Sequence, residues 1–310
     1  MVKWFTILAL TLAASHAFAK PERETLLHVS YDATRELFAD YNRDFKTTHP
    51  NVRIRMSHGG SGKQARAVMD GLPADIVSLA LDYDVEMIAQ KTHKPIARRV
   101  PFYSTIVFLV RAGNPKQIYD WGDLTRSDVR VLTPNPKSSG GARWGYLAAW
   151  GYAQARYGKS AQAARDYMTS WLKRVPVFDT GARAATTNFV RRNQGDVLIT
   201  WENEAHLAQK YFGADAFEII MPRVTIKAEP VVAVLSQSPI AKDYVEGLFA
   251  PEAQALAVQH FFRSTTQRNT LQSLQHTKLL TIADFGGWAS AQKTHFDQGG
   301  IFDQLMARNK

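Results

Sequence analysis

Cysteine is absent from all 310 residues. That excludes disulfides, thiol nucleophiles and Cys-ligated zinc. Long apolar runs are missing too: the one near the start, Trp4 to Ala14, falls short of the ~18 residues a membrane helix needs. Metal-ligand spacing is equally scarce. The nine His are scattered, and no H-E-x-x-H occurs. There is no sequence repeat, low-complexity tract or long linker. Nor is there a run of basic residues, although the formal charge is +10 and the pI about 9.7. Lys and Arg stand singly or in pairs such as Arg98-Arg99 and Arg191-Arg192, so the charge argues for a general field that attracts anions and against a nucleic-acid partner. No metal and no cofactor is expected.

What is present begins with an export signal. Lys3, the short apolar run and Ala17-Phe18-Ala19 make Met1 to Ala19 a signal peptide with an A-x-A cleavage site. The mature chain is then exported and soluble, and in a double-membrane bacterium it is periplasmic.

Strand and helix patterns alternate after the signal. Leu26–Ser30 is a strand, Ala33 to about Phe45 a helix with Asp32 at its N-cap, and Val52–Met56 a strand. A helix follows Ser61, with Gly71 placed to end it, and Asp75–Leu81 is a third strand. Such alternation predicts a parallel sheet flanked by helices, with ligands beyond the carboxyl ends of the strands. Ser104–Val110 begins a second series: strands at 129–133, 175–178 and 197–201, a helix with Trp144, Leu147, Ala148 and Gly151 on one face, and helices at about 160–172 and 202–211. Further strands are expected at 217–221 and 231–235, and the last 70 or so residues are mainly helical. The fold class is therefore α/β in two lobes, with Ser104–Val110 and Val224–Leu235 crossing between them.

The loop Asn135-Pro136-Lys137-Ser138-Ser139-Gly140-Gly141-Ala142-Arg143 lies between a strand and a helix. Free N–H groups and the positive end of the helix dipole meet there, which makes an anion site. Gly59-Gly60-Ser61-Gly62-Lys63-Gln64 repeats the device. It is not a Walker A loop, because Ser57 stands where the first Gly belongs and Gln64 follows the Lys. It is not a nucleophile elbow either, since Lys63 replaces the second Gly. An exported hydrolase using Ser61 or Ser139 is the reading from another class, with no recognisable base to support it. Glu202 and Glu204, two residues apart, point to different sides of a helix and read as helix-start charges. His58 and His206 read as structural or solvated.

These segments together resemble the prokaryotic sulfate-binding proteins, receptors of sulfate/thiosulfate ABC importers. The resemblance runs through Val29–Leu37, Ser57–Gln64, Asn135–Arg143, Asp179–Arg183 and Gly195–Ala205, then Phe285–Trp288 and Thr294–Phe296. It implies a two-lobe periplasmic binding protein fold of type II, each lobe a mainly parallel sheet with flanking helices and the ligand in the cleft. The lobes would be residues 20–104 with 226–310, and 105–225. It also implies sulfate held by the backbone N–H groups of Asp32, Ser61, Gly140, Gly141 and Ala182, the Ser139 hydroxyl and the Trp201 indole. Arg143 and Arg183 are expected as supporting charges paired with carboxylates, and Lys63 as solvated. The partners implied are sulfate and the membrane permease subunits of an ABC importer, the receptor itself being a non-enzymatic monomer. Thiosulfate is the alternative ligand, then molybdate.

Overall fold

Two larger sheets and two short two-stranded ribbons form, the larger ones laid down by strands that deliver helix starts to one rim. The computed structural model describes residues 24–93, 95–158, 160–265 and 274–308; the expected signal peptide lies outside them. In chain order the first lobe begins with β1 (Glu24–Tyr31), α1 (Arg35–Thr48), β2 (Val52–Gly59), α2 (Ser61–Met69), β3 (Ile76–Leu79) and α3 (Asp82–Thr92). Then come β4 (Phe102–Tyr103), β5 (Ile106–Arg111), β6 (Val131–Pro134), α4 (Gly140–Tyr157) and α5 (Ala161–Leu172). The chain goes on through β7 (Phe178–Asp179), α6 (Ala182–Val190), β8 (Val197–Trp201), α7 (Glu202–Phe212) and β9 (Phe217–Ile220). It finishes with β10 (Val224–Ile226), β11 (Val231–Val234), α8 (Pro239–Gly247), α9 (Pro251–Gln259), β12 (Arg263–Ser264), β13 (Lys278–Leu280), α10 (Gly287–Ala291) and α11 (Ile301–Arg308).

The first sheet has the order β11-β3-β1-β2, with β1, β2 and β3 parallel and β11 antiparallel. Tyr31 pairs with Gly59 in the parallel register. The chain therefore leaves β1 and β2 side by side, at Asp32 and at Gly60-Ser61. Side chains alternate across the sheet as the pleat requires. Ile76 packs with Phe38 and Tyr244 on one face, and Val77 with Val68, Val85 and Ile88 on the other. Gly71 has a φ of +104° just past α2, the left-handed geometry expected there.

The second sheet runs β7-β6-β8-β5-β9 and is more mixed than expected. β6 is parallel to β7 and β8, whereas β5 is antiparallel to both β8 and β9. The reason lies in how the chain arrives. Ile106, the start of β5, pairs with Trp201, the end of β8; a strand entering from the other lobe at the cleft edge has to run away from it.

Ser104 and Ala228 exchange backbone hydrogen bonds of 3.0 and 2.9 Å, tying the two crossing segments together. Residues 226–310, expected in the first lobe, divide between the two. β11, α8 and α9 join the first sheet. The tail instead lays Trp288, Phe296, Phe302 and Leu305 into the core around α4, where Tyr146 stacks edge-on to Phe296 and Phe302. Aromatic residues on the outer side of α4 attract the tail to the second lobe. The strand expected over 175–178 shrinks to Phe178–Asp179, with Val177 largely exposed.

Candidate functional site

Four helix starts converge on one small cavity. They are the 3-10 turn Asp32–Thr34 and the first turns of α2, α4 and α6. The first N–H groups of a helix have no partner within it. Here the amides of Asp32, Ser61, Gly140, Gly141 and Ala182 have no protein acceptor among the described residues. Asp32, Ser61, Ser139, Gly140, Gly141, Ala182 and Trp201 all line this one cavity, together with Tyr31, Gly59, Gly60 and Ala80. No Lys, Arg or His is among them.

Each wall has a local cause. Ser139 is the N-cap of α4, and its Oγ accepts from the Ala142 amide at 3.4 Å, which leaves the hydroxyl hydrogen free to donate. Trp201 closes β8 and is buried, with its ring 5.3 Å from that of Tyr31. Among the described residues its Nε1–H meets no protein acceptor, unlike Trp121, which donates to the Val224 carbonyl, and Trp144, which donates to that of Ala80. Gly141 makes the approach possible. A Cβ there would stand 2.2 Å from Trp201 Nε1, and one at Gly140 would stand 2.6 Å from the Ala80 Cβ.

Asp32 is not the side-chain N-cap expected of it. It opens the 3-10 turn, Tyr31 takes the cap position, and no cap bond is made. Its carboxylate lies 3.5 Å from Arg35. Burial raises its pKa, against the charges of Arg35 and Arg183 and a hydrogen bond from the Arg183 backbone amide. Asp32 thus turns its carboxylate to the start of α6 while its own amide belongs to the cavity rim.

The large cations are used outside the cavity. Arg143 is buried, donates to Asp84 at 3.3 Å and to the Pro136 carbonyl at 2.9 Å. Arg183 donates to both oxygens of Glu36, at 2.8 and 2.6 Å, and reaches Glu204 at 3.4 Å. Lys137 turns away to the tail, donating to the Phe296 carbonyl and to Asp303, each at 2.8 Å. Lys63 is exposed. Both arginine pairs cross from one lobe to the other, as do the Trp144–Ala80 bond and one from Asn203 Nδ2 to the Ala33 carbonyl at 3.0 Å. The lobes are in contact around the cavity.

Sequence reasoning missed Asp84. It sits in the first turn of α3 on the same rim, accepting from Ser61 Oγ at 2.6 Å as well as from Arg143. Its position after a strand on the ligand side was the available signal. Glu202 and Glu204 do begin α7, but they are buried rather than solvated. Glu202 takes two 2.7 Å bonds from Arg263 and one of 2.9 Å from Thr105. Glu204 is pushed up to about 7, chiefly by burial and further by Glu36 and Asp32, against the pull of Arg183 and a Thr186 hydroxyl bond. His206 stacks on Phe261, and burial lowers the pKa of His58 to about 4.

A family model described as bacterial extracellular solute-binding protein matches residues 26–263. The chain is 47% identical to a sulfate-binding protein of Salmonella typhimurium, over 99% of this chain and 100% of the relative. It is 40% identical to a thiosulfate-binding protein of Pseudomonas aeruginosa, over 96% and 95%. Among solved structures, the sulfate-binding protein SubI of Mycobacterium tuberculosis superposes with a TM-score of 0.80 at 31% identity, covering 88% of this chain and 100% of that one.

Proposed function

We propose that this chain, which belongs to the bacterial extracellular solute-binding protein family, is a sulfate receptor of an ABC importer. It works in the periplasm, holds the ion between its lobes and hands it to membrane permease subunits. The observation that carries this is the composition of the cavity: five amides without acceptors, one hydroxyl and one indole N–H, with no basic side chain.

Sulfate is fully ionised near neutral pH, so each oxygen can only accept. A Trp indole can only donate, and helix-start amides are donors already oriented. Hydrogen phosphate carries a proton that would face another donor. Burying that mismatch costs about 1–3 kcal/mol, which is how a hydrogen-bonding site discriminates. In this reading Asp32, Ser61, Gly140, Gly141 and Ala182 donate through the backbone, Ser139 and Trp201 through the side chain. Arg143 and Arg183 hold the lobes together. The 47% and 40% identities to sulfate- and thiosulfate-binding relatives make thiosulfate the second ligand to test.

The chain acts as a carrier, not as a hydrolase. Ser61 Oγ donates to Asp84 and accepts from the Ala80 amide at 3.0 Å, and among the described residues no His bonds to Ser61 or Ser139. Residues 1–19 serve as a cleaved export signal, and the receptor works as a monomer. The deciding experiment is a titration of ligand-free protein with sulfate, thiosulfate, phosphate and molybdate, followed by Trp fluorescence. Sulfate is expected to bind most tightly and phosphate most weakly. Phosphate binding tighter than sulfate would overturn the donor-only cage.

A further inference from the structure

Outside the cage is a second, wider pocket that the cage does not use. It is lined from the first lobe by Lys63 and Arg66 of α2 and from the second by Arg183 and Arg192 around α6, with Asp32 and Asp179 as its carboxylates. Asp32 lines both spaces, so the outer pocket is the mouth of the inner one. The cations differ in their freedom. Arg183 is taken up by Glu36 and Glu204, and Asp32 lies beside Arg35. Asp179 accepts from Asn188 at 2.5 Å. Arg192 donates to the same Asn188, through its oxygen, at 3.0 Å. The side chains of Lys63 and Arg66 make no hydrogen bond or ion pair among the described residues, and both are exposed.

We propose that this mouth is an encounter site for the oxyanion, in which Lys63, Arg66 and Arg192 draw the dianion to the cleft before the neutral cage receives it. The proposal rests on the sulfate reading above. The division of labour has a physical reason. A cage of neutral donors exerts only a short-range pull, whereas full charges act over about 8–10 Å at ordinary ionic strength. Cations flanking a concave entrance focus the field and raise association rates by ~10-fold or more. Kept outside the cage, they act on the approach and not on release, so capture quickens while the dissociation rate stays set by the cage.

Stopped-flow fluorescence of the parent and of a Lys63→Gln, Arg66→Gln, Arg192→Gln variant tests this, with sulfate as the probe and sodium chloride setting ionic strength. A second variant, Lys173→Gln, Lys242→Gln, Arg308→Gln, removes as many positive charges from exposed positions that line neither pocket. The mouth variant should associate about three- to tenfold more slowly at low salt, with an unchanged dissociation rate. The deficit should vanish near half-molar salt, and the control variant should match the parent. An association rate unchanged at low salt, equal slowing in the control, or a change confined to dissociation would each overturn the encounter site. If the parent binds no sulfate, it is the functional reading that fails, and the two failures are separate.

Discussion

At Gly141 the backbone passes so near the Trp201 indole that no side chain fits between them, a Cβ falling 2.2 Å from Nε1. Gly141→Ala must push the indole off the cavity or move the start of α4. Trp201→Phe removes the same N–H without crowding. Loss of a hydrogen bond to a charged ligand costs about 1.5–3 kcal/mol, so calorimetry should give a sulfate Kd raised about 10- to 150-fold for Trp201→Phe, and by at least as much for Gly141→Ala. An unchanged Kd in the Phe variant would take Trp201 out of the site. Glu204 gives a second test at this scale. Its ordinary pKa is 4.5 and its folded value about 7. Between them the folded protein holds a proton that the unfolded chain has released, so this group's contribution to stability falls as pH rises through the window. Urea unfolding at pH 5 and pH 7.5, at saturating sulfate, should show Glu204→Gln gaining stability relative to the parent as pH rises, since the buried His28, His58 and His295, held neutral, add the same opposite trend to both proteins. A parent and variant with parallel pH profiles would contradict the assignment.

The helix starts act as a set, and what holds the set in register is the short chain Ser61–Asp84–Arg143 across α2, α3 and α4. Asp84→Ala would strand Arg143, a buried cation, without its carboxylate. Breaking a buried pair in this way costs about 3–5 kcal/mol. Because the pair spans the lobes, the loss should fall on the ligand-bound form: faster sulfate release in stopped flow, with the ligand-free melting temperature changed less. Equal destabilisation of both forms would count against an interlobe role. Elements of this kind were legible in the sequence where the pattern is local. Apolar runs marked β1, β3, β5 and β8, and the Ser/Gly loops marked the starts of α2 and α4. Local pattern placed Asp32, Ser61 and the Ser139-Gly140-Gly141 loop at strand ends and helix starts; Ala182, Trp201 and the donor roles of all seven came from the family resemblance, and the seven line one cavity. What stayed hidden depends on distant segments. Nothing near Glu202 announces Arg263, nothing near Lys137 announces Phe296 and Asp303, and the attraction of the tail to Tyr146 on α4 is set by packing alone. The antiparallel β5 was hidden for the same reason, since its direction follows from where the crossing segment enters.

For the whole molecule, two lobes joined through the paired segments at Ser104 and Ala228 and touching around an interior cavity imply that ligand and closure stabilise one another. Sulfate at 100 times its Kd should add about 2.7 kcal/mol to stability, seen as a raised melting temperature. Small-angle scattering should show a smaller radius of gyration than in the ligand-free protein; an identical radius would contradict closure. The Trp144 bond to the Ala80 carbonyl, 2.9 Å across the lobes, carries a spectroscopic consequence. The protein has two indoles at different stages of one event: Trp201 is placed to sense the arriving ion, and Trp144 finds its acceptor only when the lobes meet. Rapid mixing should then give two optical phases. The phase that depends on sulfate concentration should be lost in Trp201→Phe, and the concentration-independent phase in Trp144→Phe. Capture and closure would be timed separately, with no label added to the chain.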